Sequence, residues 1–401
     1  MASDAAETAD AKSSLHLPDD RYIPIRTADL LAALVRDAGE HASLVTAFAD
    51  ALERIVHAES SALSRRLERA YAPFNPDRET VAVGDAGGDS STLATLATVL
   101  DYTFDKANYD LLEDTQVRAA IASASVHGMK VRVNPDKVGD LQLYVRGRTQ
   151  ETRLVRTLRR PIVGEMREVE LYRRLAIVYR MSDSLEVGIK LFREIPVANL
   201  EALLPHAEVG MSTFDRIKIL GGGIGAVGGA TWKAVAVLVQ GSMIAGQYFW
   251  ALTLGLAGLS VRSVLGYRRA RDLRVSQRTH HLYYQNIANN AGVLDLLVTS
   301  IGHEEIKETL LAYALLVLRS GEAKDAESLS SLAKAWIAER FYVELDYDVA
   351  DALESIDRLG LWEDRESMRV VSPEVALARL VAMWRDRDTE DYHARAMADR
   401  A

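Results

Sequence analysis

The chain has 401 residues, 48% hydrophobic and 26% charged, with 57 acids against 48 Lys and Arg, a net charge of −9 and no cysteine. That length supports more than one core. The missing cysteines exclude a disulfide framework, thiolate metal sites and cysteine nucleophiles, and the acidic balance argues against general nucleic-acid binding.

Residues 1–20 place Asp4, Glu7, Asp10, Asp19 and Asp20 among many Ala and Ser. They have neither the basic start nor the apolar centre of a secretory signal, and read as a disordered acidic tail. Helical spacing begins after Pro24: Leu30, Leu31, Leu34 and Val35 share a face behind an N-cap at Thr27. Val45, Phe48, Leu52, Ile55 and Val56 form the stripe of a longer helix. Residues 72–90 read as a loop, and Leu93, Leu96, Leu100 and Phe104 mark a third helix. The period then changes to two. Met129, Val131 and Val133 alternate with Lys130 and Arg132; Leu141, Leu143 and Val145 alternate likewise, as do Leu185, Val187, Ile189 and Leu191. A turn at 181–184 joins the last of these to a strand over 171–179. The expectation is a helical region at 21–115 followed by a small antiparallel α+β domain at 116–205.

Residues 219–265 hold two long apolar stretches separated by Gln240, Gly241 and Ser242, with Lys233 and Arg262 as the sole charges. Each is about 21 to 23 residues, roughly 32 Å as a helix, which matches the hydrocarbon thickness of a bilayer. The predicted fold class is therefore α+β with a two-helix transmembrane hairpin over 217–266. Gly221, Gly225 and Gly229 line one face of the first span, as in membrane helices that associate closely. Lys233 continues that series, and a central Lys costs roughly 2.5 to 3.5 kcal/mol on insertion. Arg216 and Lys218 precede the hairpin, while Arg268, Arg269, Arg271 and Arg274 follow it and are placed at lipid headgroups. By the positive-inside rule both termini face the cytoplasm, the expected location being the cell inner membrane.

Gly223, Gly225 and Gly228 also spell the dinucleotide-binding fingerprint. That reading needs an acid about twenty residues on, and no Asp or Glu occurs between Asp215 and Asp272. Elsewhere His303-Glu304-Glu305 lacks the second His of a metalloprotease, and His280-His281 point apart on a helix. No nucleophile elbow or phosphate-loop lysine motif occurs. The stretch 146–174 carries nine arginines against four glutamates, suited to anionic headgroups or to pairing with acidic segments.

Beyond the hairpin, 283–300 and 306–318 read as helices, the second with Ile306, Leu310, Tyr313 and Val317 on one stripe. Helices at 328–341 and 349–359, the latter stopped by Gly360, lead to a β-hairpin within 362–371 and a helix opened by Pro373. The order suggests a winged-helix-like C-terminal domain over 275–388. Its would-be recognition helix bears Asp348, Asp351, Glu354 and Asp357, which repel phosphate.

Several blocks resemble the uncharacterised transmembrane protein 143 family: Asp20-Arg21-Tyr22-Ile23-Pro24, Phe104-Asp105-Lys106-Ala107-Asn108-Tyr109, Leu191-Phe192-Arg193-Glu194-Ile195-Pro196, Tyr283-Tyr284-Gln285-Asn286, Asn289-Asn290-Ala291-Gly292 and Lys307-Glu308 with Leu311-Ala312-Tyr313. The resemblance implies a multidomain protein with two membrane spans and no established activity. The function expected is thus a two-span membrane interaction or scaffolding component without cofactor or metal, self-associating through its glycine face and bound to lipid rather than nucleic acid. The alternatives are an oligomeric transporter or channel using Lys233, and a nucleotide-dependent enzyme.

Overall fold

Two helices of 30 and 28 residues, α2 (Ala42–Tyr71) and α4 (Ala291–Leu318), organise the larger part of the molecule. The computed structural model describes residues 15–17, 21–78, 90–113, 115, 130–133, 138–155, 165–197, 200, 203, 207–210, 285–386 and 392–398. By its contacts the chain divides into two units: Met1–Glu113 with Asp136–Pro196 and Ile287–Ala401, and Asp114–Pro135 with Val197–Asn286. In the second unit the described strands are β3 (Lys130–Val133) and β7 (Ala207–Gly210), paired antiparallel with Val131 opposite Val209.

In the first unit, α1 (Thr27–Ala38) precedes α2, and α3 (Ser90–Lys106) leads into β2 (Asp110–Leu111). Then come the long strands β4 (Val138–Val155) and β5 (Glu165–Met181), β6 (Val187–Pro196) and, far along the chain, β8 (Asn286–Asn289). They form one five-stranded sheet in the order β2-β4-β5-β6-β8. Alternation sets the register: Leu143 lies opposite Ile177, and Val178 opposite Ile189. The remaining elements are α5 (Ala326–Phe341), β9 (Val343–Leu345), α6 (Ala350–Arg358), the hairpin β10 (Trp362–Asp364) and β11 (Arg369–Val370), α7 (Pro373–Asp386) and α8 (Tyr392–Ala398). β1 (Leu15–Leu17) pairs in parallel with β9. Gly360, at φ +64°, ends α6 in the left-handed conformation that a residue without Cβ adopts freely.

Two apolar clusters result, and both long helices run through both of them. Val45, Phe48, Leu52, Ile55 and Val56 of α2 and Ile306 to Leu316 of α4 pack with α1, α5, α6 and α7. Leu63, Leu67 and Tyr71 of α2 and Val293 to Ile301 of α4 pack instead with α3 and with Tyr144, Ala176, Val178, Ile189 and Leu191 of the sheet. The two helices expected at 283–300 and 306–318 are thus one. It starts later, because 286–289 is a strand and Asn290, at φ 49°, turns the chain into it. The Asn290 amide oxygen accepts from the Ile189 amide at 2.9 Å and its own N–H bonds the Ile189 carbonyl at 2.7 Å, which fixes that turn to β6.

The membrane part of the expected fold is corrected. Among the described residues no helix is long and apolar enough to cross a membrane. Even α4, buried over much of its circumference, carries Glu304, Glu305, Lys307 and Glu308 at its middle, where lipid would oppose them. The two-span hairpin at 217–266 falls within 211–284, outside the described residues. No described helix supports the integral-membrane function or the inner-membrane location expected from it, and the described residues form an α+β architecture around a five-stranded sheet.

At the crossing of α2 and α4, a Cβ on Gly302 would come within 2.7 Å of the Ser60 hydroxyl and 3.7 Å of Val56. Gly302→Ala is expected to cost about 1–3 kcal/mol in urea unfolding through overpacking. Adding Ser60→Ala, which removes the nearest atom, recovers most of that loss.

Candidate functional site

Glu59 interrupts the apolar stripe of α2 between Val56 and Leu63, and Glu304 to Glu308 interrupt α4 between Ile301 and Leu310. The seam between the two apolar clusters is therefore polar, and it is closed to solvent. Glu59 and Lys307 are 1% exposed, Glu304 4% and Glu308 6%. Helical spacing puts Glu304, Lys307 and Glu308 on one stripe, with Glu305 a quarter-turn round.

The chain segment ahead of α1 closes over this stripe. The Ile23 amide donates to Glu304 Oε1 at 2.8 Å, and Lys307 Nζ donates to Glu304 Oε2 at 3.0 Å and to the Ile23 carbonyl. Lys307 also lies 4.1 Å from the Tyr22 ring centroid, and the Arg146 guanidinium lies 4.4 Å from the same ring. Such contacts favour a cation most where water is excluded. Beside it, the Phe104 ring stacks on Tyr144 at 4.0 Å and meets Tyr109 edge-on at 5.6 Å.

On the α6 side, Arg358 bridges Glu59 through Nη1 and Glu305 through Nη2, two charge-assisted bonds, while its Nε and Glu59 Oε2 have no hydrogen-bond partner among the described residues. Its other face covers the Tyr392 ring of α8 at 4.1 Å. Lys106, at the end of α3, reaches Asp351 at 3.0 Å and Glu354 at 2.8 Å. Burial opposes its charge, but these two carboxylates outweigh burial and raise its pKa. Tyr102 and His393 bond through Nδ1 at 2.9 Å, while His393 Nε2 has no partner among the described residues.

Between these groups lies a cavity of about 20 Å³, bordered by Lys106, Glu304, Glu305, Glu308, Asp351 and His393. It has room for about one water molecule. Among the described residues no group of three His, Asp or Glu is placed to hold a metal ion; Lys106 instead brings an ammonium to the cavity wall.

The protonation states follow from the enclosure. Burial pushes Glu59 up to about 8, against the pull of Arg358, and Glu304 up to about 7, against Lys307. Glu308 is driven well above the ordinary carboxylate range by burial, with Glu304, Asp351 and Glu305 adding repulsion. Burial lowers His393 to about 4, keeping its ring neutral. The arrangement is equipped to take up and release protons near neutrality.

The glycine face, Lys233 and the arginines after the hairpin, nominated from the sequence, are not part of this cluster, whereas Arg146 of the basic stretch and Asp351 and Glu354 are. Gly221, Gly225, Gly229, Lys233, Arg268, Arg269, Arg271 and Arg274 lie outside the described residues. His303 is exposed, whereas its neighbours Glu304 and Glu305 point into the seam. Three of the blocks behind the family resemblance do meet here, through Tyr22 and Ile23, Lys106 to Tyr109, and Lys307-Glu308.

A family model described as a protein of unknown function (DUF3754) matches residues 169–292, less than half of the chain. The matched stretch covers most of β5, all of β6 and β8, and the first residues of α4, and ends before Glu304. No solved structure matches.

Lys307→Met leaves Glu304 buried without its cation and is expected to cost about 3–5 kcal/mol in chemical denaturation. Adding Glu304→Gln removes the stranded charge, so the double variant is expected to be more stable than the single one.

Proposed function

We propose that the first unit is a proton-responsive regulatory module whose sensor is the carboxylate cluster in the seam between α2 and α4. One observation carries this reading: Glu308 is buried among Glu304, Glu305 and Asp351, and the cations that reach the cluster already serve other carboxylates. Lys106 pairs with Asp351 and Glu354, Arg358 with Glu59 and Glu305, and Lys307 with Glu304. Glu308 therefore meets its neighbours by holding a proton rather than a counter-ion.

Among the described residues each sensor faces charged or titratable groups on the elements around it, and Glu308 has the buried Tyr347 beside it as well. Glu308 faces Glu304, Glu305 and Lys307 of α4 and Asp351 of α6. Glu304 faces Lys307, Arg146 of β4 and the Ile23 amide. Glu59 faces Arg358 and Glu305. His393 faces Glu305, Arg358, Lys106 and Glu354.

The sign of the response follows. A carboxylate raised by folding contributes stability that is complete below its ordinary value of 4.5 and is lost as pH climbs through its folded value. For Glu304 and Glu59 those folded values are about 7 and about 8. His393 acts in the opposite sense: its contribution is present above 6.5 and is lost as pH falls toward 4. Between pH 6.5 and 8 the carboxylates alone set the trend, and stability falls as pH rises.

Two segments rest directly on this cluster. The seven-residue α8 rests on this cluster through Tyr392, whose ring lies under Arg358 and whose hydroxyl reaches Glu354 at 3.3 Å. The segment at Tyr22 and Ile23 rests on Glu304 and Lys307. Deprotonation of Glu308 sets these contacts against a growing excess of negative charge, so α8 and the segment ahead of α1 are the moving parts.

Urea unfolding between pH 6.5 and 8.5 tests the reading. The wild-type protein is expected to lose up to about 1.4 kcal/mol per pH unit for each carboxylate releasing its proton. Glu308→Gln, which mimics the protonated acid, is expected to flatten the slope. A wild-type profile flat across this range, or an unchanged slope in Glu308→Gln, contradicts it.

A further inference from the structure

We infer that the groove between α2 and α8 binds a phosphate-bearing anion. Arg65, Arg66 and Arg69 stand with Ala62 on one stripe of α2, and His393 and Ala394 of α8 form the facing wall. The groove encloses about 420 Å³, within the range of small-ligand sites (~300–1,000 Å³). The three arginines are exposed and form no ion pair or hydrogen bond among the described residues. That is unusual in a chain with 57 acidic residues and a net charge of −9.

Arg65 and Arg69 are one turn apart, and like charges at that spacing weaken a helix. An anion held between them turns this repulsion into attraction. Guanidinium forks match the oxygens of a phosphate in pairs, which a lysine cannot do. Ala62 and Ala394, with small side chains, line the groove together with the buried Leu63. His393 supplies the only strongly buried polar group at this wall among the described residues. Its Nδ1 is engaged with the Tyr102 hydroxyl and its Nε2 has no partner. Nε2 is itself fully buried, so His393 bounds the groove without presenting that nitrogen at its surface. The acidic residue nearest in sequence, Glu68, lines a different cleft with Tyr71 and Asp77.

The same chemistry is offered by a free phosphorylated metabolite and by a phospholipid headgroup, and one experiment separates them. The full-length protein at pH 6.5 and low ionic strength is titrated calorimetrically with pyrophosphate. In parallel it is sedimented with phosphatidylcholine vesicles, with and without phosphatidylinositol phosphate. Saturable pyrophosphate binding supports a soluble ligand; binding confined to vesicles carrying the phosphoinositide supports a headgroup. In either arm Arg66→Gln, and separately the pair Arg65→Gln and Arg69→Gln, are expected to weaken binding at least tenfold with unchanged circular dichroism. No binding in either arm, or equal binding by the arginine variants, overturns the inference. Neither result bears on the carboxylate cluster, whose test is the pH slope of stability.

Discussion

The close crossing of α2 and α4 is the constraint on which the rest of this unit depends. Gly302 on one helix and Ser60 on the other allow the backbones to approach where any larger residue would separate them. Above and below that point each helix changes the core it serves, from the helical cluster to the cluster beneath the sheet. Charged side chains occupy the change-over, and packing shuts out the water that would ordinarily solvate Glu59, Glu304, Lys307 and Glu308, while Asp351 and Glu354 on the α6 side stay about half exposed. Stability and ionisation are thereby tied together.

A cluster of this kind is a weak source of net stability, because desolvation offsets most of the Coulombic gain. Its consequence is specificity. Arg358, Lys106 and Lys307 each join elements distant in sequence: α6 to α2 and α4, α3 to α6, and α4 to the segment before α1. An apolar seam would allow these elements to slide, whereas forked and directed bonds hold them in one register. The cost is sensitivity to protonation, since Glu308 has no cation of its own among the described residues. The arginine groove on the neighbouring face of α2 adds a second electrostatic feature, open to solvent where the first is closed.

Much of the fold was legible in the sequence wherever one side of an element meets water. Two-residue alternation located β3, β4 and β6, the turn at 181–184 pointed to β5, and three-to-four spacing located α1, α2 and α3. Gly360 and Pro373 marked the end of α6 and the start of α7. The reading failed where burial removes the pattern. In α4 apolar residues face nearly all directions, so Gly302 to Glu305 looked like a gap between two helices rather than the middle of one. β8 is four residues long with half its side chains turned outward, too short to register a period. The cluster itself was illegible for another reason. Glu59, Lys106, Glu304, Glu308, Arg358 and His393 are scattered over more than three hundred positions, and singly each resembles an ordinary solvated charge. One signal was available: Glu304 to Glu308 sit between two strongly apolar stretches of a helix with no polar face to carry them outward. The apolar run at 217–266 drew the interpretation toward lipid instead, and no described helix supports that.

The most direct test is to follow the side-chain carboxyl carbons of Glu304 and Glu308 by nuclear magnetic resonance across pH 4 to 9, assigned through Glu→Gln variants. If the seam excludes water and its cations are engaged with carboxylates other than Glu308, Glu304 titrates near 7 and Glu308 far above an ordinary glutamate. Titration of both residues near 4.5, the ordinary value, would contradict the account: the seam would then be open to water, and the proton-responsive role would fall with it.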